Sequence, residues 1–431
     1  MRRKALVVAL ATTTFFGVAA CGGGDSGGGG GSASSTEITG KGPITLVQGK
    51  DTSGFVQGVL DKWNKDHPDE KVRLIELPDE ADAQREKMIQ NAETQSDAYD
   101  VLYTDVVWTA EFAANRIMIP LPEEEFELDK MLEPVIDTTK YQGKFYAAPS
   151  GSDGGMLYYR TDLLKAAGVS EPPKTWAEML DMCKKVQATP QGKDVECYAG
   201  QFEKYEGLTV NASEVINGAG GEVTDDSGKP NVDTPEAAEG LDFLVKGFKE
   251  GYIPKEAITY TEEEGRRAFQ SGKLLFHRQW PYIYNLANGD EGTKVKGKFD
   301  VAPLPGLDGP GSSSLGGHNM GISTYSKNKA TALDFIKFYT SEESQRSNLE
   351  LSSGAPTYAS LYDDPELQKK YPYLPILKES ILNATVRPKV VQYGDATLAI
   401  QDAAYSALNG DMTSEEAVAE LQTKLEEITS K

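Results

Sequence analysis

The chain has 431 residues, 39% hydrophobic and 26% charged, the composition of a globular protein and not of a disordered, collagen-like or multi-pass membrane chain. Its 66 acidic residues outnumber 44 Lys and Arg, giving a formal net charge of −22. Nucleic acid would need a basic footprint that the chain lacks, and the acidity reads as solubility. The length favours two domains over one simple core.

In chain order, Arg2, Arg3 and Lys4 precede the apolar stretch Ala5 to Val18, too short to span a bilayer and suited to the hydrophobic region of a signal peptide. Val18-Ala19-Ala20-Cys21 resembles a bacterial lipobox. Residues 1–20 are therefore expected to be a signal peptide. Residues 21–42 would then be a lipidated Cys21 and a Gly/Ser tether, holding the protein on the extracellular face of the cell membrane. Cleavage would remove three basic residues and no acidic one, leaving the chain more acidic still. Two cysteines then remain, Cys183 and Cys197, and an even pair in an exported chain suggests a disulfide. The three histidines, His67, His277 and His318, show no metal-ligand spacing, so no metal is expected.

Ile44 to Gln48 reads as a strand. Phe55, Val56, Val59, Leu60 and Trp63 recur at helical spacing. Val72 to Leu77 reads as a second strand, Asp82 to Thr94 as a helix and Val101 to Tyr103 as a third strand. This alternation predicts an open α/β layer with parallel strands. Lys144 to Ala147 and Gly155 to Tyr159 look like strands. Thr175 and Glu178 form a capping box for a helix reaching about Val186. Thr234, Pro235 and Gly251 frame another helix. Leu274 to Arg278 reads as a strand, and Thr413 with Glu416 caps a C-terminal helix. No internal repeat is visible, and two α/β lobes fit better than one large sheet.

In open α/β sheets ligands bind beyond the carboxyl ends of the strands. That rule nominates Asp51 after the first strand, Asp105 after the third, Asp153 in a glycine-rich link between two strands, Trp280 and Tyr282 after the strand at 274–278, and Gly316-Gly317-His318 before a short strand-like run. Each also has a plain structural reading. Asp105 suits a helix cap, a ligand contact or both. Asp153 suits a turn, the aromatics suit a core, and the glycines suit a turn. As a set, acidic side chains, an arginine and aromatic faces match sugars, and also polar amino acids or peptides. Asp153 and Glu206 could in principle form the carboxylate pair of a glycoside hydrolase. No P-loop, H-E-x-x-H or G-x-S-x-G pattern is present, which lowers the weight of an enzyme and leaves no cofactor motif.

Several stretches resemble the family 1 extracellular solute-binding proteins of ABC sugar importers. They are the lipobox and tether, Asp105-Val106-Val107-Trp108-Thr109-Ala110-Glu111-Phe112, Tyr158-Tyr159-Arg160-Thr161-Asp162-Leu163-Leu164, Pro173-Lys174-Thr175-Trp176, Gln201-Phe202, Tyr205-Glu206-Gly207, Gly272-Lys273 and Arg278-Gln279-Trp280-Pro281. The order of these stretches covers nearly the whole mature chain. The resemblance is closest to the trehalose/maltose-binding branch, and the Gly/Ser-rich leader resembles actinobacterial lipoproteins.

The resemblance implies a maltose-binding-protein-like (type II) fold of two α/β lobes joined by a three-stranded hinge, with the ligand cleft between the lobes. Residues 43–152 plus 314–356 would form lobe 1, and residues 153–313 plus 357–431 lobe 2. The crossings would fall near Ser152–Gly154, Pro310–Ser314 and Gly354–Tyr358. It implies a non-catalytic, monomeric binding protein that captures an α-linked glucose disaccharide and delivers it to membrane permease subunits. A β-linked disaccharide or a longer maltodextrin is the alternative. The branch's ligand residues match Asp105, Asp153, Trp280, Tyr282, Gly316, Gly317 and Arg387 (followed by Pro388), and more loosely Asp51 beside Lys50. His318 departs from the pattern, since an aromatic Trp is expected there.

Overall fold

The computed structural model describes residues 36–51, 54–225, 227–289 and 291–430; the expected signal peptide, Cys21 and most of the expected tether lie outside them. The strands of four residues or more are β1 Ile44–Gly49, β2 Val72–Leu77, β3 Val101–Asp105, β4 Ala147–Gly154, β5 Met156–Arg160, β6 Glu196–Ala199, β7 Leu274–Gln279, β8 Phe299–Ala302 and β9 Leu315–Ile322. The helices that frame the site are α1 Phe55–Asp66, α2 Ala81–Glu93, α3 Trp176–Gln187, α4 Glu206–Gly218, α5 Pro235–Glu250, α6 Glu262–Gln270, α7 Tyr393–Asn409 and α8 Ser414–Thr429.

Local chemistry accounts for several helix ends. On α1 the residues Phe55, Val56, Val59, Leu60 and Trp63 are buried along one face, and the Val56 N–H donates to Asp51 Oδ2 at 3.0 Å. The capping boxes at Thr175/Glu178 and Thr413/Glu416 are complete on both sides. The hydroxyl of Thr234 accepts from the Ala237 N–H, Pro235 opens α5, and Gly251 closes it in the left-handed conformation. Helix α4 differs, because everything from Glu206 to Ile216 is buried, polar residues included. Such a helix needs a partner for each buried polar group.

Two lobes follow from two sheets. The first sheet has the order β2-β1-β3-β9-β4, the second β8-β5-β7-β6. Strands β1, β2 and β3 are parallel, but β9 runs antiparallel to both β3 and β4. The first sheet is thus mixed and not wholly parallel. Asp153 lies inside β4, not in a link between strands, and Gly316-Gly317-His318 lie inside β9, not ahead of it. The physical reason is shared. Ala-Ala-Pro-Ser-Gly-Ser-Asp-Gly and Leu-Gly-Gly-His-Asn-Met-Gly-Ile lack apolar alternation. Their pairing with one another makes both of them strands.

The passage from β4 to β5 takes a single residue, Gly155. Its N–H donates to Ser313 Oγ at 2.6 Å and its carbonyl accepts from Ser380 Oγ at 2.9 Å. Both backbone groups are therefore satisfied where the chain changes sheets. Leu46, Val47 and Val101 are buried in the first lobe, and Leu157, Tyr158, Phe269 and Phe276 in the second. Cys183 on α3 and Cys197 on β6 form a disulfide with Cα atoms 5.4 Å apart, tying a helix to an edge strand of the second sheet. Among the described residues no helix is long and apolar enough to cross a membrane.

Candidate functional site

Asp105 ends β3. Its Oδ1 accepts from the Val107 N–H at 3.2 Å, capping the turn that follows. The same carboxylate takes Arg387, with Nη2 to Oδ1 at 2.8 Å and Nη1 to Oδ2 at 3.3 Å. The cap and the charged contact coexist on one side chain. Arg387 is 3% exposed. Its Nη1 also donates to Glu206 Oε1 and its Nη2 to the Leu315 carbonyl at 3.4 Å, while its buried Nε has no protein partner. Asp105 belongs to the first sheet and Glu206 opens α4 of the second lobe, so one guanidinium joins the two lobes.

Glu206 is held from several sides. Oε1 also accepts from the Tyr393 hydroxyl, and Oε2 accepts from Thr397 Oγ1 at 2.7 Å. Its own N–H donates to Asp82 Oδ2 on α2 at 3.0 Å. Burial pushes the Glu206 carboxyl up to about 7, against the pull of Arg387 and with Asp105 and Asp82 adding to the rise.

Asp153 sits across the β4–β9 pair from Gly316. It keeps some open surface although protein surrounds it. Burial, with the charge of Asp105 adding to it and Arg278 opposing, pushes its carboxyl up to about 7. Trp280, one residue past β7, lies against Gly316. A Cβ on Gly316 would come 2.8 Å from Trp280 Cζ3 and 3.1 Å from the Cβ of Asp153. The Arg278 guanidinium stacks 3.8 Å from the Trp280 ring centroid and is itself held by Glu214 and Gln201. Gly317 has φ +113° and approaches the Gly151 carbonyl so closely that a Cβ would lie 2.3 Å from its oxygen, a place only glycine fills.

His318 stands opposite Asp105 in the β3–β9 register and stacks on Tyr103, centroids 4.6 Å apart and planes 20° apart. Burial pushes the imidazole below its usual range. Asp51 lies beside the same aromatic group, since its charge helps push the hydroxyls of Tyr103 and Tyr339 up after burial. Tyr282 points elsewhere. Its hydroxyl donates to Glu263 Oε1 at 2.8 Å on α6, next to Glu262, which accepts from Tyr205 at 2.7 Å.

The structure thus gathers Asp105, Asp153, Trp280, Gly316, Gly317, His318 and Arg387 where the two sheets meet. Asp51 stands at one edge and Tyr282 at another. Asp51, Asp105, Asp153, Trp280, Tyr282 and His318 each keep part of their surface open, while Arg387 and Glu206 are buried. Such a constellation presents acceptors, a buried cation and an aromatic face to a polar, neutral solute. Among the described residues no group of three or more His, Cys, Asp or Glu could hold a metal ion.

Tyr103, Tyr393, Thr397 and the pairing of Arg278 with Glu214 escaped the sequence reading, and Glu206 entered it as a carboxylate that could pair with Asp153 and within the stretch Tyr205-Glu206-Gly207. A signal existed for the pair. Arg278 follows the apolar Leu-Leu-Phe start of its strand, and Glu214 sits in a helix with few charges, the mark of a buried ion pair. Nothing local marked Tyr393 or Thr397.

Two α/β lobes with polar and aromatic groups converging between them define a hinged solute-binding protein. The family model for bacterial extracellular solute-binding proteins matches residues 48–346, and the chain belongs to that family. A Deinococcus radiodurans protein described as a "probable ABC transporter-binding protein" is 34% identical over 355 residues, covering 81% of this chain and 84% of the relative. The solved structure of maltose-bound T. maritima MalE3 is 33% identical, with a TM-score of 0.84 over 90% of this chain and 99% of that one. The GacH receptor of Streptomyces glaucescens, solved unliganded and with acarbose, shares the fold at 23% identity, with a TM-score of 0.78 over 90% and 99% of the two chains.

Proposed function

We propose that this protein captures an α-linked glucose disaccharide, of the trehalose or maltose type, between its lobes and hands it to the membrane subunits of an ABC importer. The observation that carries this reading is the convergence of Asp105, Asp153 and Arg387 with the Trp280 ring where the lobes meet. Carboxylates accept from sugar hydroxyls, a guanidinium donates to paired sugar oxygens in a geometry that lysine cannot match, and an aromatic ring packs on the apolar face of a pyranose. Similarity over nearly its full length to a maltose-bound protein supports the same solute class. On this reading residues 43–152 with 314–356 form the first lobe and 153–313 with 357–431 the second. The chain works as a monomer anchored through Cys21.

The reading is non-catalytic. Both oxygens of Glu206 are committed to Arg387, Tyr393 and Thr397, so it is a poor partner for Asp153 in bond cleavage, which needs a carboxylate free to face the scissile bond.

A thermal-shift screen against trehalose, maltose, maltotriose, sucrose, cellobiose, chitobiose and monosaccharides tests it. Ligand at about 100 times its dissociation constant adds roughly 2.7 kcal/mol to a folded-state-only binder. The expected result is a clear upward shift with an α-glucoside recovered intact. Arg387→Ala and Trp280→Ala should each weaken that binding by more than about 1 kcal/mol. A shift with none of the sugars would overturn the reading.

A further inference from the structure

Helix α4 carries no side-chain cap of its own at Tyr205, yet its first residue is among the most heavily bonded in the protein. We propose that Glu206 is the positioning residue for the sugar-binding arginine. Held by α7, it fixes the Arg387 guanidinium in the second lobe before the first lobe closes. The proposal rests on the sugar-binding reading of Arg387.

The contacts divide by lobe. Tyr393 and Thr397 on α7 hold both oxygens of Glu206, and α4 and α7 pack within one lobe. The Glu206–Arg387 bond therefore needs nothing from the first lobe. Asp105 and Asp82, on β3 and α2, do belong to the first lobe, and they reach this centre only when the lobes are together. Gln401 on α7 donates to the same Asp82 oxygen at 3.2 Å. Arg85, paired with Glu111, packs against Gly394 at the start of α7. Glu206 thus sits between two sets of partners, one from each lobe. A guanidinium with a free rotor would lose conformational freedom at each binding event, whereas one already clamped does not.

The two Nη groups of Arg387 bond to Asp105, Glu206 and the Leu315 carbonyl, and the buried Nε is left without a protein acceptor. An unpaired buried donor is costly unless something fills it, and a sugar oxygen is the natural acceptor on this reading. The charged groups facing Glu206 are Arg387, Asp105 and Asp82, with the Tyr393 hydroxyl beside them. Arg85 stands behind Asp82, and His318 stands beside Asp105 and Arg387. Burial, with the charges of Asp105 and Asp82 adding to it against the pull of Arg387, lets Glu206 take up a proton near neutral pH, and a neutral Glu206 releases its hold on the arginine.

The test compares wild type with Glu206→Gln, Glu206→Asp and Tyr393→Phe in two measurements. The first is titration calorimetry with the α-glucoside that binds wild type most tightly, at pH 8 and pH 5.5. Glu206→Gln should weaken binding about tenfold or more at pH 8, the loss of one charge-assisted contact. The loss should shrink below about threefold at pH 5.5, where the wild-type carboxyl is itself protonated. Glu206→Asp should recover part of the affinity. Tyr393→Phe, which removes one bond to Glu206 and is the gentler change for folding, should move affinity the same way by a smaller factor. The second measurement needs no sugar. The Nε–H resonance of Arg387, assigned by its absence in Arg387→Lys, should be sharp in ligand-free wild type and broadened in Glu206→Gln. Affinity within twofold of wild type for Glu206→Gln at pH 8, or an unchanged arginine resonance, would overturn the proposal. If wild type binds no sugar, the sugar reading falls, and the arginine resonance alone supports or overturns the positioning role.

Discussion

Adding one methyl group at Gly316 should displace the aromatic wall of the site while leaving the backbone at ease. Gly316 is absent from the positive-φ residues, so alanine is conformationally acceptable there. The new Cβ would stand 2.8 Å from Cζ3 and 2.9 Å from Cη2 of Trp280, and 3.1 Å from the Cβ of Asp153. Carbon atoms rest at about 3.5–4.0 Å, so the indole has to retreat by about 0.7 Å. Its stack on Arg278, itself fixed by Glu214, resists that movement. Overpacking of this kind costs about 1–3 kcal/mol. We expect Gly316→Ala to lower Tm by a few degrees and to weaken sugar binding about tenfold.

Gly317→Ala makes the internal comparison. There the Cβ would meet the Gly151 carbonyl oxygen at 2.3 Å and Ser152 Cα at 2.8 Å, and φ is +113°. The obstacle is backbone inside a ladder, which cannot turn aside as a ring can. The cost should exceed that of Gly316→Ala by about 2 kcal/mol or more. Melting curves and calorimetric titrations on both variants decide the matter. The reasoning fails if Gly316→Ala melts and binds like wild type, or if the two variants are equally mild.

Other expectations follow from contacts already described. Asp153 and Glu206 have carboxyls pushed up to about 7, so between their unfolded values and about 7 the folded chain binds more protons than the unfolded one. Stability of the ligand-free protein should therefore rise as pH falls from 8 to 5.5, by about 1–2 kcal/mol per group; Asp153→Asn should flatten that dependence in urea titrations, and an unchanged slope would count against it. Cys183→Ser opens the disulfide whose cysteines are 14 residues apart and should cost about 3 kcal/mol by chemical denaturation, with reductant producing the same loss in wild type and none in the variant. Thr413→Ala removes one half of a complete capping box and should cost about 1 kcal/mol without changing affinity.

The legibility of this chain followed the range of the interactions involved. Helix α1 and the ends of α3, α5 and α8 were readable because their determinants lie within a few residues, as Thr175 and Glu178 do. Strands β4 and β9 were not, because Pro149 to Gly154 and Leu315 to Gly317 carry small side chains in place of an apolar alternation. Their smallness answers a tertiary demand, the close approach of Trp280 and of the neighbouring backbone. The site divides in the same way. Asp105 could be nominated because it ends a readable strand. The clamp on Arg387 could not, since Glu206 lies 181 residues from it and Tyr393 lies 187 residues from Glu206.

Strand β9 lies between β3 and β4 in the first sheet, and its pairing with β3 joins His318 to Asp105 and Ile322 to Val101. The N-terminal sheet is thus missing a central strand until more than 300 residues have been made. Contacts of such sequence separation form slowly, because a long loop must be closed first. For a family whose members work outside the cell, this delay is useful. A nascent chain that cannot complete its first sheet has no finished domain to jam an export channel until Leu315–Ile322 has been made. The insertion of β9 therefore ties completion of the first sheet to a segment made late, through the order of the strands alone.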